Sequence, residues 1–519
     1  MTPRMDLMDQ PLALEIMLSG ESVLLTGAAG SGKTYILNQF IRAARAKGKH
    51  VSVTATTGLA ATHLNGNTIH SWAGIGIHNS IPENFHETLL KGRRETIEKT
   101  DVLIIDEISM LHDYRLDMVD HIARKVRGND EPFGGIQVIL CGDFFQLPPV
   151  SRSDEPPSAF VVNSASYKEL DPAVCYLEEQ HRQDDSDFLE ILNAIRSGDV
   201  RRRHADTLMA RQDADLSEQG EVTELHTTNI DVDGLNILQL KKLEGESHSY
   251  SATTTGKETY VATLKRSCLA VEDLVLKKGA LIMCIKNSPD KKYVNGSLGI
   301  VTGFEEDTQY PKVKLNNGRE LTIAPETWEL RDGDKKRASL VQIPLRLAWA
   351  ITVHKSQGMT LDAARVDLRR TFVPGMGYVA LSRVRNLETL SLAGMNRLAL
   401  QVSPEALEID ETLVYKSKRD SQRFDNLRSL AKKRKETNAT AEVSTSSTPW
   451  AEKLAKMRET HPNAYMKWTN EEDAVLIDLY NEDNSISIDI LTEKLGRHPG
   501  SIRMRLQKHF GEDADSTLT

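Results

Sequence analysis

The sequence predicts an α/β protein in which a parallel sheet is covered by helices on both faces. Short apolar runs alternate with stretches of helical spacing, which is the pattern of strands joined by crossover helices. A glycine-rich motif follows the first run and leads directly into a helical stretch. Such sheets bind ligands at the carboxyl ends of their strands, so we expect the functional residues at that edge. The apolar runs are 23–25, 50–54, 101–105 and 136–140.

Residues 27–34, GAAGSGKT, match the phosphate-binding pattern G-x-x-x-x-G-K-[ST]. The glycines let successive backbone N–H groups point at a pyrophosphate, while Lys33 can reach the β- and γ-phosphates and the Thr34 hydroxyl suits a Mg²⁺ position. Helical spacing over 33–46 would place the phosphates at a helix N-terminus, where the dipole favours an anion. A chance glycine-rich turn is the alternative, and the order of strand, loop and helix disfavours it. The predicted nucleotide-binding residues are Gly27, Gly30, Ser31, Gly32, Lys33 and Thr34.

Two acidic residues, Asp106 and Glu107, follow the apolar run 101–105. A carboxylate at the end of a buried strand can hold Mg²⁺ through water, and its neighbour can orient or deprotonate an attacking water. Alone, such a pair would more often be an ordinary strand end. Because it follows a phosphate-binding motif, we assign Asp106 to the metal and Glu107 to catalysis.

Composition narrows the class of protein. The chain has 519 residues, enough for roughly three to five domains, and its formal net charge of -9 argues against a surface coated in nucleic acid. A basic run over 416–435 still allows a local cationic groove. The four cysteines form no C-x-x-C pair, which favours reduced thiols over a disulfide framework or a zinc site. Without an apolar leader or a run of about 18 apolar residues, we expect a soluble cytoplasmic protein with no membrane partner.

An ordered set of motifs resembles those of the petite-integration-frequency (PIF) helicases of superfamily 1B, to which the RecD-like enzymes also belong. The longest is 132–150, PFGGIQVILCGDFFQLPPV, which resembles the family signature and third motif. The others resemble motif Ia and the motif after it, then motifs IV, V and VI, and the ordered set is far more specific than any one member. They are 54–61 (TATTGLAA), 68–74 (TIHSWAG), 177–183 (LEEQHRQ), 350–361 (AITVHKSQGMTL) and 378–384 (YVALSRV).

The resemblance implies two RecA-like domains that close on ATP. Gln146 would sense the γ-phosphate, and Arg182 and Arg383 would reach it from the second domain to stabilise charge as the phosphoryl group is transferred. Gln10 lies where the family reads adenine. The implied catalytic set is Lys33, Glu107, Gln146, Arg182 and Arg383, with ATP and Mg²⁺ as cofactors and with Thr34 and Asp106 as metal ligands.

The same resemblance implies contacts to single-stranded DNA. Hydroxyl, imidazole and ammonium groups suit phosphates and sugars, which fits movement along a strand without reading its sequence. His70 could also be a structural histidine, and we expect Trp72 and Trp349 to pack in the core. The implied contacts are Thr57, Thr68, His70, His354 and Lys355.

The domain boundaries follow from the motifs and from composition. Between motifs IV and V, apolar strand runs and the turn signal Asn317-Gly318 predict a small barrel that resembles the SH3-like 2B domain of the family. The expected divisions are a RecA-like domain 1A over 1–176 with a small 1B insertion at about 74–100, a RecA-like domain 2A over 177–276 and 343–415, the 2B insertion over 277–342, a basic segment and linker over 416–449, and a three-helix domain over 450–511.

The predicted three-helix domain resembles a Myb/SANT-like helix-turn-helix. A capping box of Thr469 and Glu472 opens its first helix. The third helix starts at Pro499 and would present Arg503 and Arg505 to duplex DNA, and a protein-binding or structural role is nearly as well supported. The residues expected inside are Val475, Leu476, Leu479, Ile502 and Leu506.

The leading hypothesis is an ATP- and Mg²⁺-dependent DNA helicase that moves 5′-to-3′ along single-stranded DNA and unwinds forked duplexes in replication, repair, recombination or telomere maintenance. The polarity comes only from the resemblance. Two alternatives remain open, a translocase that strips proteins without separating strands and a duplex-binding adaptor with an ATPase switch. We expect a monomer, which would be nucleoid-associated in a bacterium.

Overall fold

The computed structural model divides into two compact units, Met1–Ala431 and Lys432–Thr519. The described residues are 8–57, 60–61, 66–76, 78–149, 156, 159–179, 185–216, 222–268, 270–288, 292–293, 296–316, 318–332, 335–432, 434, 462–463, 469–482, 486–497 and 499–510.

A sheet of six parallel strands occupies the N-terminal part of the larger unit. The strands are β1 (Val23–Gly27), β2 (Val51–Ala55), β3 (Asn67–Thr68), β4 (Val102–Asp106), β5 (Gln137–Gly142) and β6 (Ala173–Leu177). They pair in the order β3-β2-β4-β5-β1-β6. Strands β1 and β5 are buried along their whole length, which is why both appear in the sequence as apolar runs. All four predicted strands are confirmed to within two residues.

Helices connect these strands. They are α1 (Gln10–Leu18), α2 (Lys33–Ala46), α3 (Ile69–Ala73), α4 (Phe85–Thr88), α5 (Lys91–Lys99), α6 (Asp113–Arg127) and α7 (Ala165–Leu170). Helix α1 starts at Gln10 because Asp9 caps it: the Leu12 N–H donates to Asp9 Oδ1 at 2.9 Å. Helix α2 has the bounds that its helical spacing predicts. Among the described residues of 74–100, the predicted 1B stretch, the structure forms α4 and α5.

Alternate side chains of the sheet enter two different cores. Val23 and Leu25 pack in one core with Phe40 of α2, whereas Leu24 packs in the other with Val119 of α6. Because successive residues of a strand point to opposite faces, this division shows helices on both sides of the sheet. The predicted arrangement is therefore confirmed.

A second parallel sheet forms later in the larger unit. Its strands are β7 (Thr223–His226), β18 (Ala350–Thr352), β19 (Ala364–Leu368) and β20 (Leu390–Met395), in the order β18-β7-β19-β20. The accompanying helices are α8 (Ser186–Arg196), α9 (Arg202–Met209), α10 (Asn229–Lys242), α12 (Val353–Ser356), α13 (Met376–Leu381) and α14 (Pro404–Arg423). Trp72 is buried and Trp349 packs against two cores, so the predicted core role of both is confirmed.

A β-rich region is inserted between β7 and β18. It contains β8 (His248–Ser251), β9 (Thr253–Gly256), α11 (Glu258–Ser267), β10 (Asp273–Leu276), β11 (Leu281–Cys284), β12 (Leu298–Phe304), β13 (Pro311–Leu315), β14 (Glu320–Thr322), β15 (Glu326–Asp332), β16 (Lys335–Gln342) and β17 (Leu345–Leu347). These strands form three sheets, with the orders β14-β13-β12-β11-β17, β15-β16-β9 and β10-β8.

The strands of 277–342 do not share one sheet. β11 to β14 pair with β17, which lies beyond the predicted boundary, while β15 and β16 pair with β9, which lies before it. Gln342 explains part of this division, since its Nε2 donates to the carbonyl oxygens of Tyr250, Val271 and Glu272 at 2.8, 3.1 and 3.2 Å. The predicted hairpin at Gly318 does join β13 to β14, and Asn317 lies outside the described residues.

Helix α14 closes the edge of the first sheet. Asp420 Oδ2 accepts the Val174 N–H at 2.9 Å, and Ser417 Oγ accepts the Tyr176 N–H at 3.1 Å. Both N–H groups belong to β6, an edge strand whose backbone donors would otherwise lack partners. Residues 416–423, predicted to begin a linker, are therefore part of a helix that completes the sheet. Residues 435–449 of that prediction lie outside the described chain.

The smaller unit contains three helices in its described part: α15 (Asn470–Glu482), α16 (Ile488–Leu495) and α17 (Pro499–Phe510). The capping box is confirmed, because the Thr469 N–H donates to Glu472 Oε2 at 2.9 Å and the Glu472 N–H donates to Thr469 Oγ1 at 3.2 Å. Val475 was predicted inside and is 45% exposed, because the inward stripe of α15 runs through Leu476 and Tyr480 instead. The predictions that Leu476, Ile502 and Leu506 face the core are confirmed. Leu479 is partly buried and packs at the margin of that core.

The cysteines are free thiols. Cys141, Cys175 and Cys284 are buried and Cys268 is half-buried. Within the described ranges, His, Cys, Asp and Glu side chains form no cluster that could hold a metal ion by themselves. Across the same ranges, none of the helices combines the length and the apolar character needed to span a bilayer.

Replacing Gly299 by Ala should destabilise the larger unit. A Cβ there would lie 2.7 Å from Lys314 O and 2.9 Å from Val313 Cγ1 on the neighbouring strand. Overpacking of this kind costs about 1–3 kcal/mol. Gly303 is a matched control in the same strand, since a Cβ there would meet nothing within 4 Å. Urea unfolding followed by tryptophan fluorescence should show a lower midpoint for Gly299→Ala and a change within about 0.5 kcal/mol for Gly303→Ala. Equal midpoints would contradict the close approach of β12 and β13.

Candidate active site

The phosphate-binding loop joins β1 to α2 and depends on glycines with positive φ. Gly27, Gly30 and Gly32 have φ angles of 144°, 88° and 85°, which glycine adopts without steric cost. A Cβ at Gly27 would lie 2.4 Å from the carbonyl oxygen of Leu177, and one at Gly32 would lie 2.3 Å from Gln10 Nε2. Backbone angle therefore favours glycine at all three positions, and close approach of the Leu177 backbone requires it at Gly27.

Three polar side chains lie at the loop, those of Gln10, Ser31 and Lys33. Lys33 Nζ donates to the carbonyl oxygens of Gly27 and Ala28 at 2.8 and 2.9 Å. Gln10 Nε2 donates to Ser31 O at 3.1 Å, which holds its amide beside the loop. Ser31 Oγ is buried and has no hydrogen-bond partner among the described residues, so a phosphate oxygen could accept its proton.

The acidic pair stands at the end of β4, as predicted. Asp106 Oδ1 accepts the Glu107 N–H at 2.9 Å, and Glu107 has a φ angle of 54°, a left-handed conformation that costs a residue with a side chain about 1–3 kcal/mol. Burial raises the pKa of Glu107 to about 7, and the charge of Asp106 contributes to the rise. A carboxylate with such a pKa can exchange a proton with water near neutral pH.

These groups line a cleft of about 340 Å³. The predicted residues Lys33, Thr34, Glu107, Gln146 and Arg383 all contribute to it, so the structure brings together most of the catalytic set. Arg182 lies outside the described residues. The first-sheet side contributes Ala29, Gly30, Gly32, Lys33, Thr34, Tyr35, Glu107 and Gln146, and the second-sheet side contributes Gly358, Thr360, Arg383 and Arg385.

Arg383 enters the cleft from the turn directly after α13, on the second-sheet side. Its side chain is 1% exposed. Nη1 donates to the carbonyl oxygens of Ser356 and Met359 at 3.3 and 3.1 Å, Nε donates to Val379 O at 2.8 Å, and Nη2 donates to Ser382 Oγ at 2.8 Å. The guanidinium is thus oriented by its own side of the cleft.

A buried ion pair, which the sequence did not reveal, supports the site from behind. Arg196 Nη1 donates to Asp143 Oδ1 at 2.6 Å, and its guanidinium lies 4.3 Å from the centroid of the Phe145 ring. Burial raises the pKa of Asp143, but the charges of Arg196 and Lys33 and the hydrogen bonds from Arg196 and the Phe145 N–H together outweigh burial and hold that pKa below its usual value. Asp143 precedes Gln146 by three residues, and its Oδ2 lies 3.4 Å from Gln146 Nε2.

Tyr378 extends this pair to the phosphate-binding loop. Its hydroxyl accepts the Ala29 N–H at 3.1 Å and donates to Asp143 Oδ2 at 3.3 Å. Arg196 also donates to Tyr176 Oη at 2.9 Å. The position of Tyr378 in motif VI and of Asp143 in the third motif could have indicated their importance, whereas Arg196 lies in no motif that we identified.

The predicted DNA contacts follow strands of both sheets at their carboxyl ends. Thr57 follows β2 and Thr68 ends β3, while His354 and Lys355 belong to α12 directly after β18. Thr57 Oγ1 accepts the Ala60 N–H and Thr68 Oγ1 accepts the Ser71 N–H, both at 3.2 Å, which fixes the two hydroxyls. Lys355 Nζ lies 3.2 Å from Asn229 Oδ1.

His70 has structural partners. Its Nε2 lies 3.0 Å from Arg115 Nη1, and Arg115 Nη2 donates to Asn79 Oδ1 at 3.2 Å. Burial lowers the pKa of His70 to about 4, and the Arg115 charge adds to the effect. The imidazole is therefore neutral at physiological pH, and contact with a phosphate there would be by hydrogen bond rather than by charge.

Phe372 is an exposed aromatic residue that sequence reasoning missed. It lies after β19, it is 53% exposed, and its ring is nearly parallel to that of His354, with 6.3 Å between centroids and 18° between planes. Thr371 anchors the loop, since its Oγ1 donates to Leu368 O at 2.9 Å and its carbonyl accepts Asn396 Nδ2 at 2.8 Å. An exposed ring on an anchored loop beside a second flat ring can stack on a planar ligand.

The two arginines predicted to meet duplex DNA differ in their surroundings. Arg505 forms a bidentate ion pair with Asp473 and is mostly covered, whereas Arg503 is exposed. Arg497, which the sequence did not suggest, is buried and pairs with Glu472 at 3.1 and 2.6 Å. Of the three, Arg503 has the guanidinium most accessible to solvent.

The oxygen donors near the loop fit a magnesium ion. Asp106 offers a carboxylate at the end of β4 and Thr34 a hydroxyl at the start of α2, and Mg²⁺ typically takes one or two such ligands and keeps several waters. Burial raises the pKa of Asp106, and the nearby Lys33 ammonium counteracts it. A bound Mg²⁺ would, like the Lys33 ammonium, stabilise the ionised carboxylate of Asp106 and lower its pKa.

Comparisons with known proteins agree with this geometry. The family model for PIF1-like helicase matches residues 7–206, and that for the DNA helicase Pif1 2B domain matches 259–304. An ATP-dependent DNA helicase Pif1 from a Psychrobacter species is 40% identical over 483 residues, covering 81% of this chain and 73% of the relative.

The solved structures that resemble this chain include Pif1 helicases. The Pif1 helicase of Candida albicans is similar with a TM-score of 0.69 and 36% identity, over 78% of this chain and 98% of that one. A Pif1 helicase from Bacteroides, solved in complex with ADP-AlF3 and single-stranded DNA, has a TM-score of 0.62 and 34% identity, over 80% of this chain and 99% of that one.

Replacing Arg196 by Met should strongly destabilise the larger unit, because the Asp143 carboxylate would remain buried without its cation. Removing one partner of a buried ion pair costs about 3–5 kcal/mol. Arg201→Met is the control, since the Arg201–Asp199 pair, at 2.8 Å, lies on the surface. Urea unfolding of the full chain should show a much lower midpoint for Arg196→Met than for wild type, and a midpoint close to that of wild type for Arg201→Met. Similar midpoints would show that Asp143 does not depend on the Arg196 charge.

Proposed function

The chain belongs to the PIF1-like helicase family and is an ATP-dependent DNA helicase, and from this membership we propose that it moves 5′-to-3′ along single-stranded DNA and unwinds the duplex ahead. One observation carries the proposal: a single cleft of about 340 Å³ is lined from the first sheet by Lys33, Thr34 and Glu107 and from the second by Arg383. A site shared in this way couples hydrolysis to the relative movement of its two sides.

In the proposed reaction, the chain's own residues bind and orient ATP. The loop N–H groups, Ser31 Oγ and Lys33 would bind the phosphates, and Gln10 would contact the adenine. Glu107 would accept a proton from the attacking water, and Gln146 would hydrogen-bond near the γ-phosphate. The buried Oε1 of Gln146 has no partner among the described residues, which leaves it able to accept a hydrogen bond from the attacking water.

Charge that develops on the γ-phosphate would be stabilised from the second sheet. Arg383, which lines the cleft, is proposed for this role, and Arg182 is proposed as its companion. One arginine of this kind contributes about 10³–10⁵ in rate. Mg²⁺, held by Thr34 and Asp106, would neutralise phosphate charge when bound.

The proposed DNA track follows the carboxyl ends of the strands in both sheets. Thr57, Thr68 and His70 would contact the backbone from the first sheet, and His354 and Lys355 from the second. Phe372 would stack on a base, and the exposed side chains of Arg369 and Arg370 on the same loop supply cations. Aromatic rings combined with cations are typical of sequence-independent single-strand binding.

The smaller unit is proposed to add a contact to duplex DNA or to a protein. Arg503 is the better candidate for it, because Arg503 is exposed whereas the Arg505 side chain is mostly covered. We also propose that the chain acts as a monomer, at the nucleoid if its source is bacterial, in replication, repair or recombination.

Tailed duplexes test the proposed function. With ATP, a fork carrying a 5′ single-stranded tail should be unwound, and a duplex with only a 3′ tail or with blunt ends should not.

Lys33→Ala and Glu107→Gln should abolish both unwinding and DNA-stimulated ATP hydrolysis while single-strand binding persists, because neither residue lies on the proposed DNA track. Lys47→Ala, on exposed surface just past the end of α2, is the control and should behave as wild type. Unaltered turnover in the Lys33 or Glu107 variant would refute the assignment, and ATP hydrolysis without strand separation would favour a translocase.

Phe372→Ala should weaken binding to single-stranded oligonucleotides by about tenfold or more, since stacking on an aromatic ring contributes about 1–3 kcal/mol per base. The salt dependence of binding should not change, because no charge is removed. Phe372→Trp should retain affinity, and Tyr415→Ala, at an exposed ring on α14, should have no effect. Fluorescence anisotropy at several salt concentrations would measure this. Wild-type affinity in Phe372→Ala would exclude the ring from the track.

A further inference from the structure

Residues 353–359, called here the motif V segment, connect the proposed DNA track to the cleft. The segment consists of α12 and the turn after it. His354 and Lys355 stand near its start, and Gly358, close to its end, lines the cleft. At about 1.5 Å of rise per helical residue, the two sites are separated by only a few ångströms of backbone.

The turn contacts the proposed catalytic base directly. Gln357 Nε2 donates to Glu107 Oε2 at 2.9 Å, from the second-sheet side of the cleft to the first. Gln357 is buried, and its Oε1 has no hydrogen-bond partner among the described residues. The amide therefore meets the carboxylate through one donated hydrogen bond, and no second bond in that part of the chain fixes its acceptor end.

The same turn also holds Arg383. Ser356 O and Met359 O accept Arg383 Nη1, one on each side of Gln357. A shift of this turn would change the surroundings of Glu107 and of Arg383 together. Two groups on opposite sides of the cleft thus depend on one short stretch of backbone.

Helix α12 is rigid enough to transmit such a shift. Thr352 Oγ1 accepts the Lys355 N–H at 3.3 Å, Ser356 Oγ donates to Val353 O at 2.8 Å, and the Gln357 N–H donates to His354 O at 3.4 Å. A helical turn with these bonds moves as a body rather than residue by residue. Displacement of His354 or Lys355 by a DNA backbone would therefore displace Gln357.

We infer that Gln357 is a positioning residue that restrains Glu107 until single-stranded DNA on the track shifts the motif V segment. A carboxylate oxygen that accepts the Gln357 amide proton is less available to accept a proton from water, and a guanidinium committed to Ser356 and Met359 is less available to a phosphate. The contact would thereby keep ATP turnover low when no DNA is bound. This inference rests on the proposed function.

Gln357→Met tests the restraint in the full-length chain, because it keeps the length of the side chain and removes the donor. ATP turnover is measured with and without saturating oligo-dT. The expected result is a DNA-free kcat raised by about tenfold to a hundredfold, the rate equivalent of losing one hydrogen bond to a charged group, with KM for ATP unchanged and a smaller ratio of stimulation by DNA. Gln401→Met, at an exposed glutamine outside the cleft, is the matched control and should behave as wild type.

A Gln357→Met variant whose DNA-free kcat equals or falls below that of wild type would overturn the inference. A purely structural role predicts that result, since loss of packing lowers turnover with and without DNA alike. Wild-type protein provides the second comparison. If its turnover does not respond to oligo-dT, the proposed function fails as well, whereas a normal wild-type response with an unchanged variant refutes the restraint alone.

Discussion

The larger unit depends on a carboxylate that has no exposed surface, that of Asp143. Burying a charge is unfavourable unless a partner of opposite charge and hydrogen bonds accompany it. Arg196 supplies the charge from α8, and Tyr378 supplies a hydrogen bond from α13. Because Tyr378 also accepts the Ala29 N–H, the phosphate-binding loop belongs to the same arrangement. The first sheet, the second sheet and the loop are thus held by one buried ionic group.

Much of the fold could be predicted because its strands are buried on both faces and appear as apolar runs, as β1 and β5 do. Where the structure departs from what the local sequence suggests, a distant partner decides the outcome. The strands of 277–342 belong to two sheets, because β16 pairs with β9, far earlier in the chain, while β11 pairs with β17. Val475 faces outward because the phase of α15 is set by packing against the other two helices, which a capping box does not determine.

The candidate site likewise has parts that local sequence predicts and parts that depend on residues far apart in the chain. Its local parts, the loop at 27–34 and the acidic pair after β4, could be predicted because short motifs carry their chemistry. Its contacts across the cleft could not, since Gln357 and Glu107 are 250 residues apart and Arg196 and Asp143 are 53 apart, with no local pattern to link them. Phe372 was missed for another reason: a single aromatic residue after a strand resembles a core residue until its exposure is known.

The contact between α14 and β6 has a consequence for synthesis of the chain. Val174 and Asp420 are 246 residues apart, and the second sheet and the β-rich insertion lie between them. A ribosome that has released all six strands of the first sheet has not yet made the helix that pairs with its edge. During that interval β6 keeps unpaired N–H groups, and exposed edges of this kind invite pairing with other chains. The nascent protein is therefore most vulnerable to misassembly at β6, until the last turns of α14 leave the ribosome.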